Sequence, residues 1–173
     1  MKATITNLDA SGDAHSLTLQ GGVLTIAFNG PNATNVGTDT SDTVLARYSL
    51  TAATDIEVKK MGIILCKDTG NNNAYNDAAD TAGGWSDLLD IKVTDEDSGQ
   101  VIVGPADGST FELSETTGCP TSATGAGKLF TDTFDLKGGT TRNFKVTGDI
   151  KTATADGTGV GLVSGDGIKV VLD

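Results

Sequence analysis

The feature that most constrains this chain is a run of alternating side chains across residues 43–65. Val44, Ala46, Tyr48 and Leu50 fall on one side of an extended backbone, and Leu45, Arg47 and Ser49 on the other. A period of two belongs to a β-strand with one face in a core. After a short Thr51-Ala-Ala-Thr link, Ile56 and Val58 alternate with Glu57 and Lys59. The phase then slips at Lys59 and Lys60, and Met61, Ile63 and Leu65 carry the apolar register onward. One extra residue turns every later side chain to the other face, so the pattern predicts a β-bulge or a switch between sheets at 59–60. Two adjacent strands, the second long and kinked, suit the middle of a β-sandwich.

The rest of the chain repeats this period. Residues 3–8 form a short leading strand, followed by a flexible stretch at 9–13. Leu17 and Leu19 point inward from one strand, and Leu24, Ile26 and Phe28 from the next, with Gln20-Gly-Gly between them as the turn of a hairpin. Leu89, Ile91 and Val93 alternate with Asp90, Lys92 and Thr94, the residues 95–99 turn the chain, and Val101-Ile-Val103 pairs back. Thr110-Phe-Glu-Leu reads as a further strand. Phe130, Phe134 and Leu136 share a side in which Asp132 is out of place. Phe144, Val146 and Ile150 alternate cleanly with Asn143, Lys145, Thr147 and Asp149, and residues 168–172 close the chain. No segment carries the 3.6-residue period of a helix. The expectation is an all-β, antiparallel, two-sheet sandwich of immunoglobulin-like or jelly-roll-like type with about ten short strands. Residues 1–21 form a leading strand and linker, and residues 22–173 form the sandwich.

Composition narrows the function. A chain of 173 residues can bury roughly 70% of the surface it exposes when unfolded. Its net charge of −11 argues against nucleic acid, which is held by Lys and Arg, and against anionic membrane surfaces. The same charge favours divalent cations as partners. No apolar run approaches the ~20 residues that cross a bilayer, so membrane insertion is not expected. The start is too polar for a secretory leader, which leaves a cytosolic protein or a mature chain with its leader removed. Cys66 ends a strand and Cys119 lies in a Thr/Gly/Pro loop. An even count in such a chain favours a disulfide and an oxidising compartment over two thiols, and a loop of that length would add about 4 kcal/mol in the chain-entropy model.

Enzymatic chemistry finds little footing. The single histidine, His15, lies in a short strand with nothing bracketing it as nucleophile or orienter. The glycine-rich residues 157–161 lack the helix that a phosphate loop needs, and read as a turn. The best chemical candidate is the run 68–80. Asp68, Asn71, Asn72, Asn73, Asn76, Asp77 and Asp80 offer dense hard oxygens of the kind Ca²⁺ takes, although the closing glutamate of an EF-hand is missing. The alternative is a solvated Asn/Asp loop. Asp95, Glu96 and Asp97 make a second, weaker acidic cluster. Tyr75 and Trp85 flank the same loop and could stack on a sugar, or else pack beneath it. Asn32-Ala-Thr fits a glycosylation sequon.

The strands spanned by residues 46–52, 55–60 and 89–93, and the closing block 130–150, resemble immunoglobulin-like repeats of secreted bacterial and archaeal surface proteins. The likeness covers most of residues 23–163 and implies a passive module of a wall, stalk, surface layer or fibre. It departs from those repeats in standing alone and in having some twenty residues ahead of it. The layout, a small acidic sandwich behind a free leading strand, also resembles subunits of extracellular filaments of cannula type or TasA type, in which one subunit's strand completes the next subunit's sheet. This implies an extracellular structural subunit that polymerises with itself by strand donation; the residues themselves offer Ala3, Ile5 and Leu8 as the apolar positions of the donated strand and the run 68–80 as Ca²⁺ support. The alternative for that strand is pairing within its own sandwich. The alternative for the protein is an adhesin or carbohydrate-binding module with a glycan as partner.

Overall fold

The alternation at residues 43–50 marks the interior of a longer strand, flanked on both sides in one sheet. The computed structural model describes residues 2–5, 17–20, 23–31, 35–68, 75, 87–111, 119, 128–151, 162 and 165–172. Among these the chain forms β1 (Lys2–Ile5), β2 (Leu17–Gln20), β3 (Leu24–Gly30), β4 (Thr40–Ala52), β5 (Ile56–Val58) and β6 (Met61–Asp68). They are followed by β7 (Leu88–Asp95), β8 (Val101–Ala106), a 3-10 turn (Gly108–Phe111), β9 (Lys128–Phe130), β10 (Phe134–Leu136), β11 (Thr140–Ile150) and β12 (Gly167–Leu172). All strand pairs are antiparallel. The fold is all-β, as the side-chain period predicts.

The larger sheet has five strands in the order β3-β4-β11-β7-β8, and a three-stranded sheet has the order β12-β6-β9. Two further ribbons pair β5 with β10 and β1 with β2. The phase slip at Lys59-Lys60 is therefore a change of sheet: β5 pairs with β10, whereas β6 lies between β12 and β9. The central strands β4 and β6 belong to different sheets rather than neighbouring each other in one.

Inner faces of both sheets supply one core. Leu24, Ala46, Tyr48, Leu50, Ile91, Val93, Val103, Phe144 and Val146 come from the five-stranded sheet; Met61, Ile63, Leu65 and Phe130 come from the smaller one. The Tyr48 ring stacks on Phe144 at 5.4 Å between centroids, and Phe144 meets Phe134 at 5.7 Å. Aromatic pairs in this range are favourable beyond the area they bury. Burial pushes the Tyr48 hydroxyl pKa up, so it stays a neutral donor, facing the Met61 sulfur at 3.3 Å. Strand β6 is buried along its whole length. Its second face, Ile64 and Cys66, packs with Val171, Tyr75 and Cys119 in a separate cluster.

Three local readings are corrected by the fold. The hairpin expected between residues 15–19 and 23–28 does not form, because β2 pairs with β1 and β3 pairs with β4. The strand expected at 110–113 begins instead inside a 3-10 turn: the Thr110 amide and hydroxyl both donate to the Asp107 carbonyl, at 2.9 and 2.7 Å, and Phe111 plugs the core. The single strand expected across 129–136 is two strands in different sheets, β9 and β10. Asp132 sits exposed in the break between them, which removes the conflict of an aspartate on an apolar face.

Candidate functional site

Among the described residues, strand β3 forms one rim of the large sheet. It has seven residues, Leu-Thr-Ile-Ala-Phe-Asn-Gly, with no charged side chain and no proline. The Ala53 amide donates to the Val23 carbonyl at 2.9 Å, so directly opposed residues 23 and 53 form a hydrogen-bonded pair. In an antiparallel ladder such pairs alternate with pairs whose amide and carbonyl groups point away. With Leu24, Ile26 and Phe28 opposite Ala52, Leu50 and Tyr48, the outward-pointing groups belong to these three residues. Their side chains share the face of buried Tyr48 and Leu50, yet burial fades along the strand: Leu24 is buried, Ile26 half-buried, and Phe28 is 60% exposed. Among the described residues the core face of this rim is left open at its Phe28 end.

The opposite rim, β8, is protected. It contains Pro105, which removes a ladder donor, and its register against β7 is broken by two shifts. Proline and bulges are how natural sheets blunt an edge. Gly104 there has φ 88°, and a Cβ at this position would lie 2.8 Å from the Ile91 carbonyl oxygen, so only glycine fits.

The leading strand β1 runs antiparallel to β2, with Ala3 opposite Leu19 and Ile5 opposite Leu17. The two form a sheet of their own, outside the ladder of the five strands. Leu8 lies outside the described residues.

Carboxylates cluster at the end of the sandwich where β4 begins and β11 finishes. The Asp42 amide donates to Asp149 at 2.9 Å, and Lys92 Nζ lies 2.6 Å from the Asp42 carboxylate. That amide bond, with the Lys151 and Lys92 charges, outweighs desolvation and holds Asp149 below the ordinary carboxylate range. The hydrogen bond to Asp42 keeps Lys92 above the ordinary lysine value. Asp87, just before β7, differs from these. It is 1% exposed, its Oδ2 accepts the Leu162 amide at 3.0 Å, and its Oδ1 has no hydrogen-bond partner among the described residues. Sequence reasoning passed over Asp87; the only trace was an acid placed directly before the apolar pair Leu88-Leu89.

Of the oxygen-rich run, Asp68 is buried at the end of β6, opposite Gly167 of β12. Asn71, Asn72, Asn73, Asn76, Asp77 and Asp80 lie outside the described residues, as do Trp85, His15, the sequon and residues 157–161. Tyr75 is half-buried in the cluster around Cys66, and its hydroxyl is the atom nearest to where a Gly167 Cβ would be, at 2.9 Å. Its ring packs against β6 and β12. Cys66 and Cys119 are bonded to each other, with Cα atoms 5.7 Å apart. The bond ties Cys119 to the outer face of the small sheet.

The second acidic cluster is engaged internally. Asp95 Oδ1 accepts the amides of Asp97 and Ser98 at 2.8 and 3.0 Å, and its Oδ2 accepts both Nε, at 2.8 Å, and Nη2 of Arg142. Glu96 pairs with Arg47 at 3.0 Å. These bonds hold the turn that follows Asp95, and the Gly99 amide, at φ 72°, donates to the Asp95 carbonyl.

These features define a disulfide-bonded, antiparallel all-β protein with sandwich-like layers. No protein-family model matches the chain, and no curated protein matches it either. Among the described residues no helix is long and apolar enough to cross a membrane.

Proposed function

We propose that this chain is a structural subunit of an extracellular filament or surface layer, and that copies join by β-strand addition at the β3 rim. The observation that carries the reading is the open seam: an uncharged edge strand with outward backbone groups and a core-side phenylalanine left 60% exposed. An added strand gains ladder hydrogen bonds and covers alternate side chains. Ile26 and Phe28 are the side chains it would cover. The donor is the leading segment of a neighbouring copy. A two-stranded ribbon is marginal in water by itself, so β1 and β2 gain by joining a larger sheet. A head-to-tail contact of this kind propagates without closing. The mechanism is backbone pairing and apolar burial, and requires no catalysis. The disulfide supports an oxidising location outside the cell.

Negative-stain microscopy and light scattering of the concentrated protein test this. Wild-type protein forms ordered fibres or sheets. Deletion of residues 1–9 and, separately, Phe28→Lys abolish them while leaving the far-UV spectrum and melting temperature of the sandwich intact. A wild-type protein that stays monomeric, or assemblies that survive both changes, refutes the reading.

A further inference from the structure

We propose that Asn29 is a self-modification site: its carboxamide is lost to attack by the Gly30 amide nitrogen, and the resulting carboxylate closes the β3 rim to an incoming strand. The effect on assembly rests on strand addition at β3, whereas the chemistry at Asn29 does not.

The sequence selects the position. Asn29 is the only asparagine of the chain followed by glycine. The carboxamide carbon of an asparagine is open to the backbone nitrogen of the next residue, and a side chain on that residue hinders the approach; glycine has none. The structure leaves the pair unguarded. Among the described residues β3 is outermost in its sheet, and the Asn29 side chain is exposed. Pairing with β4 passes from Phe28 opposite Tyr48 directly to Gly30 opposite Arg47, so Asn29 is the extra residue of a bulge, with no partner across the ladder. Among the described residues its carboxamide makes no hydrogen bond. Gly30 has φ 96°, so the fold itself calls for glycine after this asparagine.

The reaction balances with water alone. The Gly30 nitrogen bonds to Asn29 Cγ, the Cγ–Nδ2 bond breaks, and the amide proton leaves with Nδ2 as ammonia. Water then opens the five-membered imide at either carbonyl, giving aspartate or, with the main chain rerouted through Cγ, isoaspartate. Nothing is oxidised or reduced. Both products add a negative charge, and isoaspartate also adds a methylene to the backbone. Strand β3 carries no charged side chain before this step, and Asn29 directly follows Phe28, which an added strand would cover. The new charge has the sign the chain already holds in excess. A charge on an edge strand is a means by which sheets refuse further pairing, and a modification that creates one acts in the same way. Fresh protein adds strands at this rim; aged protein does not.

The test incubates the full chain in warm, mildly alkaline buffer and reads residue 29 by mass spectrometry, with fragmentation that separates isoaspartate from aspartate. A parallel sample in urea sets the rate of the unfolded chain. The expected result is conversion at Asn29 in the folded protein, ahead of Asn35 and Asn143. An Asn29 that stays intact in the folded protein, whether or not it converts in urea, overturns the site. Fibre formation is followed on the same samples. Aged wild type and fresh Asn29→Asp lose fibres several-fold, while Asn29→Gln, whose longer side chain cannot close the five-membered ring, keeps them after the same incubation. Fibres from Asn29→Asp equal to those of fresh wild type overturn the blocking role. Should fresh wild type form no fibres, strand addition itself has failed, and the mass reading still decides the site.

Discussion

Replacing Asp95 tests how the large sheet is fastened at the β7–β8 turn. Asp95 is 2% exposed, and its carboxylate joins the turn amides of Asp97 and Ser98 to Arg142 on β11. Arg142 in turn donates to the Asp135 carbonyl on β10 at 2.9 Å and lies over the Phe144 ring at 5.3 Å. Removing one partner of a buried ion pair costs about 3–5 kcal/mol. The Arg142 side chain keeps 28% of its surface exposed, so water recovers part of the loss and the lower end applies. Asp95→Ala is therefore expected to cost about 3 kcal/mol at neutral pH, or roughly 6–12 °C in melting temperature for a domain of this size. Asp95→Asn keeps an acceptor for the two amides and loses only the charge, for about half that cost. Burial by itself would raise the Asp95 carboxyl, but the Arg142 hydrogen bond, the Ser98 and Asp97 amides and the Arg142 charge together hold it below the ordinary range. A depressed folded pKa gives stability that is fully present above the unfolded value of about 3.9 and is lost as pH falls through the folded value. The gap between wild type and Asp95→Asn, measured by urea unfolding, should accordingly shrink toward zero in acid. A gap that stays constant from neutral pH into acid, or an Asp95→Ala cost below about 1 kcal/mol, refutes the account.

Two further outcomes are expected. Reducing the Cys66–Cys119 bond, which spans 53 residues, or replacing both cysteines with serine, should cost about 4 kcal/mol in the chain-entropy model, read as a lower urea midpoint. Gly148→Ala should destabilise by about 1–3 kcal/mol, because its Cβ would collide with the Cδ1 methyl of Ile91, a side chain fully buried in the core; thermal melts of the two proteins check this.

What the sequence disclosed follows from the range of the interactions involved. Alternation is local, so β4, β7 and β11 are readable from Tyr48, Val93 and Phe144 and their neighbours. The slip at Lys59-Lys60 is also local and marks the passage between sheets. Pairing is not local. Leu17 and Leu19 look like partners for Leu24 and Ile26 across Gly21-Gly22, yet β2 joins β1 and β3 joins β4. The turn at 108–111 was hidden because Thr110 and Phe111 have strand-like side chains, whereas its geometry rests on the Asp107 carbonyl. The candidate edge was half legible. The inward face of Leu24, Ile26 and Phe28 could be assigned, but the exposure of Phe28 depends on β3 being outermost in its sheet. Asp87 could not be singled out among 23 acidic residues, since an orphaned oxygen becomes visible only when its surroundings are placed.

The position of β11 has a consequence for when the molecule can become itself. This strand lies between β4 and β7 and holds them together, yet at Thr140–Ile150 it comes after both of them in the sequence. During synthesis β4 and β7 therefore emerge before the strand that joins them. Contacts that join residues so distant in sequence are slow to form. The large sheet therefore closes only once residues 140–150 have been made, and a nascent chain stopped before residue 140 lacks the strand that joins the β3–β4 pair to the β7–β8 pair.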